Sequence, residues 1–178
     1  SLYKVRHEKV TEVDFELETK ETEDLEKDIH ILLVEDNHQI LEYLSEYLQK
    51  LFKISTRVNG HEALEFVNQH QPDLIITDIM MPVMNGIELT KKLKESMDTS
   101  HIPVIMLTAK STIEDQIEGI ETGAEAYILK PFNMTYVHAV INNLLKQRNI
   151  IYAKYVRNKD EGITGIKITT KDEKFLND

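Results

Sequence analysis

Five polar residues stand directly after, or at the last position of, short apolar runs in this sequence, and their types suit phosphoryl chemistry. Glu35 and Asp36 follow Ile29–Val34, Asp78 follows Leu74-Ile75-Ile76-Thr77, Thr108 closes the run from Val104, and Lys130 closes the run from Ala126. Three carboxylates in one cleft repel one another unless a cation neutralises them. An all-oxygen site that stays partly hydrated fits Mg2+ better than zinc. A hydroxyl and an ammonium nearby are what the oxygens of a phosphoryl group need. In that setting Asp78 can attack a phosphoryl group in line and become an acyl phosphate. The ion would offset charge on the transferring group while Lys130 and Thr108 hold its remaining oxygens. Taken singly, each residue has a plainer role as a turn Asp, a strand-end Thr, a solvated Lys or an exposed acidic pair. Their recurrence on successive strand ends is what the plainer roles leave unexplained.

The elements that must position them follow from periodicity. Leu74, Ile75 and Ile76 suit a strand buried on both faces of a parallel sheet, which puts Asp78 at the carboxyl edge where open α/β sheets place their ligands. Pro82, Asn85 and Gly86 supply loop chemistry after it. Ile54, Thr56 and Val58 alternate as a strand should. Helical spacing runs through Leu41, Leu44, Tyr47, Leu48 and Leu51, then Ala63, Leu64 and Val67, then Ile87, Thr90, Leu93 and Met97, then Ile113, Ile117 and Ile120. Gly123 is placed to end the fourth helix and Asn133 to cap the fifth. Five strand–helix repeats predict an α/β fold with a doubly wound parallel sheet, helices on both faces and right-handed crossovers. All strand ends then share one edge.

Composition narrows the function classes. The 178 residues carry a formal net charge of −10, which argues against a nucleic-acid surface on this chain. No apolar run approaches the ~20 residues that span a bilayer, so no membrane contact is expected. The absence of cysteine excludes disulfides, thiolate zinc sites and cysteine nucleophiles, and fits a cytoplasmic protein. Residues 1–28 hold ten Asp or Glu against five Lys or Arg, and read as an acidic linker from a missing upstream domain, with a short edge strand at Val13, Phe15 and Leu17. The core domain is expected over 29–148. Beyond Arg148 the apolar stripe continues through Ile151, Tyr152 and Tyr155, more helix than a five-stranded sheet can cover, and predicts a two-helix seam in a homodimer. Residues 149–178 otherwise read as a helix extension and linker toward a missing downstream domain.

These stretches resemble the response-regulator receiver domain, a CheY-like family. The resemblance rests on Leu32-Leu-Val-Glu-Asp-Asn37, Asp73-Leu-Ile-Ile-Thr-Asp-Ile-Met-Met-Pro82, Asn85-Gly86, Pro103-Val-Ile-Met-Leu-Thr-Ala109 and Gly123-Ala-Glu-Ala-Tyr-Ile-Leu-Lys-Pro-Phe132. It implies a flavodoxin-like (βα)5 fold with strand order 2-1-3-4-5 and a cis Lys130–Pro131 bond. It further implies that Asp78 accepts phosphate from a phosphohistidine of a sensor histidine kinase, in cis or in trans. Glu35, Asp36, Asp78 and the backbone carbonyl of Met80 would bind Mg2+. Lys130, Thr108 and the Ala109 backbone amide would contact the phosphate, and Tyr127 would swing inward as an aromatic switch. The face formed by the fourth helix, fifth strand and fifth helix would then present a different surface to a partner. Glu35 stands where many relatives carry Asp, and its longer side chain is expected to reach the metal through water. Met80 and Lys110 flank the pocket at positions that modulate phosphoryl lifetime in the family. In layout the tail is similar to the link between a receiver and an AraC-type DNA-binding domain in hybrid regulators, whose full-length protein includes a histidine kinase and regulates transcription.

Two rival readings use the same residues. A haloacid-dehalogenase-type phosphohydrolase also employs a strand-end Asp with Mg2+, yet needs a second acid two residues on, where Met80 stands. A pseudo-receiver that only binds partners would not need Asp78, Thr108 and Lys130 together. The domain is not expected to be a turnover enzyme in itself.

Overall fold

The structure is a computed structural model that describes residues 28–109 and 112–160. The strand expected at residues 13–17, the acidic linker before Asp28, Lys110 and the tail beyond Asp160 lie outside the described residues. So do the side chains of Ile151, Tyr152 and Tyr155, on which the two-helix seam rests.

Five strands alternate with five helices: β1 His30–Val34, α1 His38–Leu48, β2 Lys53–Arg57, α2 Gly60–Gln69, β3 Leu74–Asp78, α3 Gly86–Glu95, β4 Val104–Thr108, α4 Ile113–Glu121, β5 Ala126–Leu129 and α5 Met134–Asp160. The strands form one parallel sheet in the order β2-β1-β3-β4-β5, the flavodoxin-like order expected. The chain winds from β1 outward to β2, then crosses back to β3. That reversal opens a crevice at the carboxyl ends of β1 and β3.

Each sheet face has its own core. Ile31, Leu33, Leu74, Ile76, Ile105, Leu107 and Ile128 bury one face under Leu41, Leu44 and Leu48 of α1 and Val137, Ile141 and Leu145 of α5. Leu32, Val34, Ile75, Val104 and Met106 bury the other under α2 and α3, through Ala63, Phe66, Val67, Leu89 and Leu93. The strand period of two assigns these residues to alternate faces, and each fully buried aliphatic contributes about 1.5–3 kcal/mol. Phe66 and Leu89, absent from the sequence reading, belong to this second core.

Local signals set the helix ends. The side chains of Asn37, Asn59 and Asn85 accept hydrogen bonds from the first-turn amides of α1, α2 and α3, and Thr112 does so for α4. Asn133 accepts from Thr135 N–H at 2.7 Å, as its position predicts. Gly123 takes φ +84 behind α4, and Lys130–Pro131 is cis. One reading fails: Met97 lies past the end of α3 and is exposed. The isoleucine spacing does form α4, on which Ile117 and Ile120 are 51% and 72% exposed.

His30 opens β1 with its N–H donated to Asp73 Oδ2 at 2.9 Å and its ring Nε2 2.8 Å from Ser55 Oγ. Burial, and next the charge of Lys53, hold its pKa below the usual 6.5, against the opposing pull of Asp73. The fold therefore refuses a proton that the unfolded chain accepts, and stability falls as the pH drops through the window beneath 6.5. Urea midpoints followed from about pH 7.5 to about pH 5.5 should decline less in His30→Gln than in the parent; equal slopes would contradict this.

Candidate functional site

The five strand-end residues converge where the crevice opens. Glu35 leaves β1 with its N–H donated to Arg57 O at 3.1 Å, and Ile79 leaves β3 with its N–H on Leu107 O at 3.2 Å. Lys130 N–H donates to Thr108 O at 2.7 Å, which locks the ends of β4 and β5 together. These bonds carry the sheet one residue past its regular ladders, so the side chains sit on rigid backbone. By alternation Glu35, Asp78 and Lys130 fall on the α1/α5 face, whereas Thr108 falls on the opposite face with Met106 and its register partner Tyr127.

Lys130 is the centre of the arrangement. Its Nζ lies 2.9 Å from Glu35 Oε2 and 3.0 Å from Asp78 Oδ1. Glu35 and Asp78 are only 1% and 6% exposed, while Asp36 is open to solvent. Carboxylate oxygens of Glu35, Asp36 and Asp78 lie within 4.8 Å of one another. Three acids thus face one ammonium, and two of them are out of bulk water. This surplus of negative charge on an all-oxygen donor set fits a hard divalent cation of the Mg2+ kind.

The electrostatics carry the mark of that crowding. Burial pushes the Glu35 pKa up; the hydrogen bonds from Lys130 and from Asn37 N–H oppose this, and the Asp78 charge adds to it. For Lys130 burial alone would lower the pKa, but its bonds and charge pairing with Glu35 and Asp78 prevail and raise it. Glu35 has both oxygens engaged, since Asn37 N–H donates to Oε1 at 3.1 Å. Sequence reasoning missed Asn37, which caps α1 through its side chain and holds Glu35 through its backbone; an Asn two residues past the acid was the available signal.

The loop after Asp78 is pinned by two glycines. Gly86 N–H donates to Ile79 O at 2.9 Å, and a Cβ at Gly86 would collide with the backbone carbonyl of Asp78. Gly60 N–H donates to Met84 O at 3.0 Å, and a Cβ there would stand 2.6 Å from that same oxygen. Between them Met84 N–H bonds Pro82 O at 2.8 Å around Val83, whose φ is +69. A β-branched residue in that three-residue turn costs of order 1–3 kcal/mol, strain held beside the acidic pocket. Met80 is exposed at the rim, as is Ala109 beyond Thr108. Thr108 is buried, and Tyr127 is half-buried with its hydroxyl on Met106 Sδ at 3.0 Å.

Residues 31–142 match the family model for the response regulator receiver domain. Histidine kinase P4 of Formosa agariphila is 40% identical over 146 residues, 82% of this chain but 11% of the kinase. A probable transcriptional regulator of Pyropia yezoensis, ycf29, is 43% identical over 116 residues, and this chain spans 52% of its length. Among solved structures, a response regulator from Chloroflexus aurantiacus superposes with TM-score 0.65 at 30% identity, covering 67% of this chain and 99% of that one. The receiver domain of a signal transduction histidine kinase from Syntrophus aciditrophicus gives 0.62 at 32% identity, covering 79% and 96%.

Replacing Lys130 by Met strips the counter-charge from two buried acids. We expect a loss of about 3 kcal/mol, typical of breaking a buried pair, with part recovered on adding Glu35→Gln. Urea denaturation measures both; a loss below about 1 kcal/mol, the value of a surface pair, would contradict the assignment of Lys130 as the counter-ion.

Proposed function

Because this chain belongs to the response-regulator receiver family, we propose that it is the phosphoacceptor module of a two-component phosphorelay with Asp78 as the acceptor. The single observation that carries this reading is the Lys130 ammonium held between Asp78 and Glu35, with Asp36 beside them. In the reaction a carboxylate oxygen of Asp78 attacks phosphorus, the bond from phosphorus to a kinase histidine nitrogen breaks, and its electron pair returns to the imidazole. Lys130, already 3.0 Å from Asp78, turns its charge to an oxygen of the new acyl phosphate. Thr108 donates its hydroxyl to another, and the Ala109 amide to the same group. Receiver domains bind Mg2+ at an acidic pocket; here Glu35, Asp36, Asp78 and the Met80 carbonyl would hold the ion, which offsets charge on the transferring phosphoryl group.

The switch follows from which face each residue occupies. Thr108 shares a sheet face with Met106 and Tyr127, so drawing Thr108 toward phosphate alters packing on the side where Tyr127 lies. The surface over α4, β5 and α5 then changes for a partner. The exposure of Ile117, Ile120 and Leu129 there supports that reading. Moving a two-state balance from one side to the other takes several kcal/mol of differential interaction.

The segments around the receiver fit a larger cytoplasmic regulator: a linker over 1–28, the receiver over 29–148 and an extension over 149–178. The match to a histidine kinase spans 146 residues, more than the family model covers, which favours a hybrid protein with a kinase in cis, and the match to a probable transcriptional regulator favours a transcriptional output. The continuation of α5 to Asp160 favours a homodimer through that helix. A phosphohydrolase is disfavoured by Met80 where its second acid would stand, and a non-phosphorylated pseudo-receiver by the intact Lys130–Asp78 pair.

Incubation with Mg2+ and acetyl phosphate, followed by intact-protein mass spectrometry, is expected to add one phosphoryl group that Asp78→Asn does not acquire. Continuous turnover of the donor would point to the phosphohydrolase, and the absence of any adduct to the pseudo-receiver.

A further inference from the structure

Gly119 is the seventh of nine residues in α4, a place where glycine weakens a helix. Among the described residues only Gly123 and Val83 take positive φ, so no special backbone conformation requires a glycine at 119. What it provides is space. A Cβ at Gly119 would fall inside the van der Waals envelope of Tyr127 Cζ, Oη and Cε1. No backbone atom is among those three, and a ring tip can move by rotation about its own side-chain bonds.

We propose that Gly119 is a positioning residue for Tyr127: the bare backbone of α4 at this point is the floor of a seat for the phenol, and the size of residue 119 sets how much of the time the ring occupies it. The other walls are in place. Met106, fully buried and paired in register with Tyr127, accepts the phenol hydrogen through Sδ at 3.0 Å. Thr122 anchors the floor, its hydroxyl donating to Gly119 O at 2.6 Å. Burial raises the pKa of the Tyr127 phenol. The seat therefore matches a ring with a hydroxyl at its tip. It also explains how α4 is held while Ile117 and Ile120 face solvent, for Gly119 and Thr122 are its buried contacts at this end. Met106 lies two residues before Thr108 on one face of β4, so the seat adjoins the hydroxyl that the phosphoryl group would move. That last link rests on the phosphoacceptor reading; the seat itself does not.

A double-mutant cycle on the unphosphorylated chain tests the seat apart from any phosphoryl chemistry. Gly119→Ala in the parent should expel the ring, so that tetranitromethane modifies Tyr127 at a rate approaching that of exposed Tyr43 and Tyr136, read by peptide mapping. In the Tyr127→Ala background the same substitution should raise the thermal midpoint, as alanine for glycine does in an open helix, whereas in the parent it should lower it. A Gly119→Ala protein that folds only when Tyr127 is also replaced is the extreme form of the same result. Equal midpoint shifts in both backgrounds, unchanged nitration of Tyr127, or failure of both variants to fold would overturn the proposal. Acetyl phosphate labelling of the same proteins reports on Asp78 separately, so either idea can fail alone.

Discussion

The crowding of three carboxylates into one pocket, with a half-buried ammonium between two of them, governs this molecule. Glu35 and Asp78 are carried out of water by the ends of β1 and β3, and Lys130, delivered from the end of β5, stands between them. Such a pair is weak evidence for stability, because desolvation of the ions consumes most of their attraction. Its persistence at the sheet crevice makes sense as a poised charge imbalance, open to a divalent ion and then to an anion. The rest of the fold serves to hold that imbalance still. Backbone bonds past each ladder fix the strand ends, glycines at 60 and 86 let the β3–α3 loop close on Asp78, and the two cores leave the carboxyl edge no freedom to spread.

The opposite edge of the sheet has its own organiser. Asp73, just before β3, accepts from His30 N–H where the chain enters β1. The Arg148 guanidinium of α5 donates to the Asp73 carbonyl at 3.2 Å and lies 3.5 Å from its carboxylate. Entry to the domain and the departing helix thus meet at one acid, with the acidic pocket at the far end of the strands. Beyond that tether α5 continues to Asp160.

Much of this was legible in the sequence because the signals were local or strictly periodic. Apolar runs on β1, β3 and β4 announce strands buried on both faces, and Asn133 and Gly123 announce helix ends by their chemistry. The convergence of Glu35, Asp78 and Lys130 follows once all strands are parallel. What was not legible depends on partners distant in sequence. The spacing in α4 says that its isoleucines share a face but not that Ile117 and Ile120 look outward, since Tyr127 on the sheet is met through Gly119. Glu35 reads as a metal ligand, yet nothing local shows that Lys130, ninety-five residues on, and the Asn37 amide take both its oxygens. Val83 gives no sign of its φ of +69, because the closure of the loop between two glycines imposes it.

The central claim is that these acids form one cation site which Lys130 leaves incompletely neutralised. A crystal structure grown with Mg2+ tests it most directly. The account predicts one ion at about 2.0–2.1 Å from oxygens of Asp36 and Asp78, with Lys130 still against Asp78 or Glu35. An ion bound elsewhere, or a pocket that stays without an ion at saturating Mg2+, would contradict it.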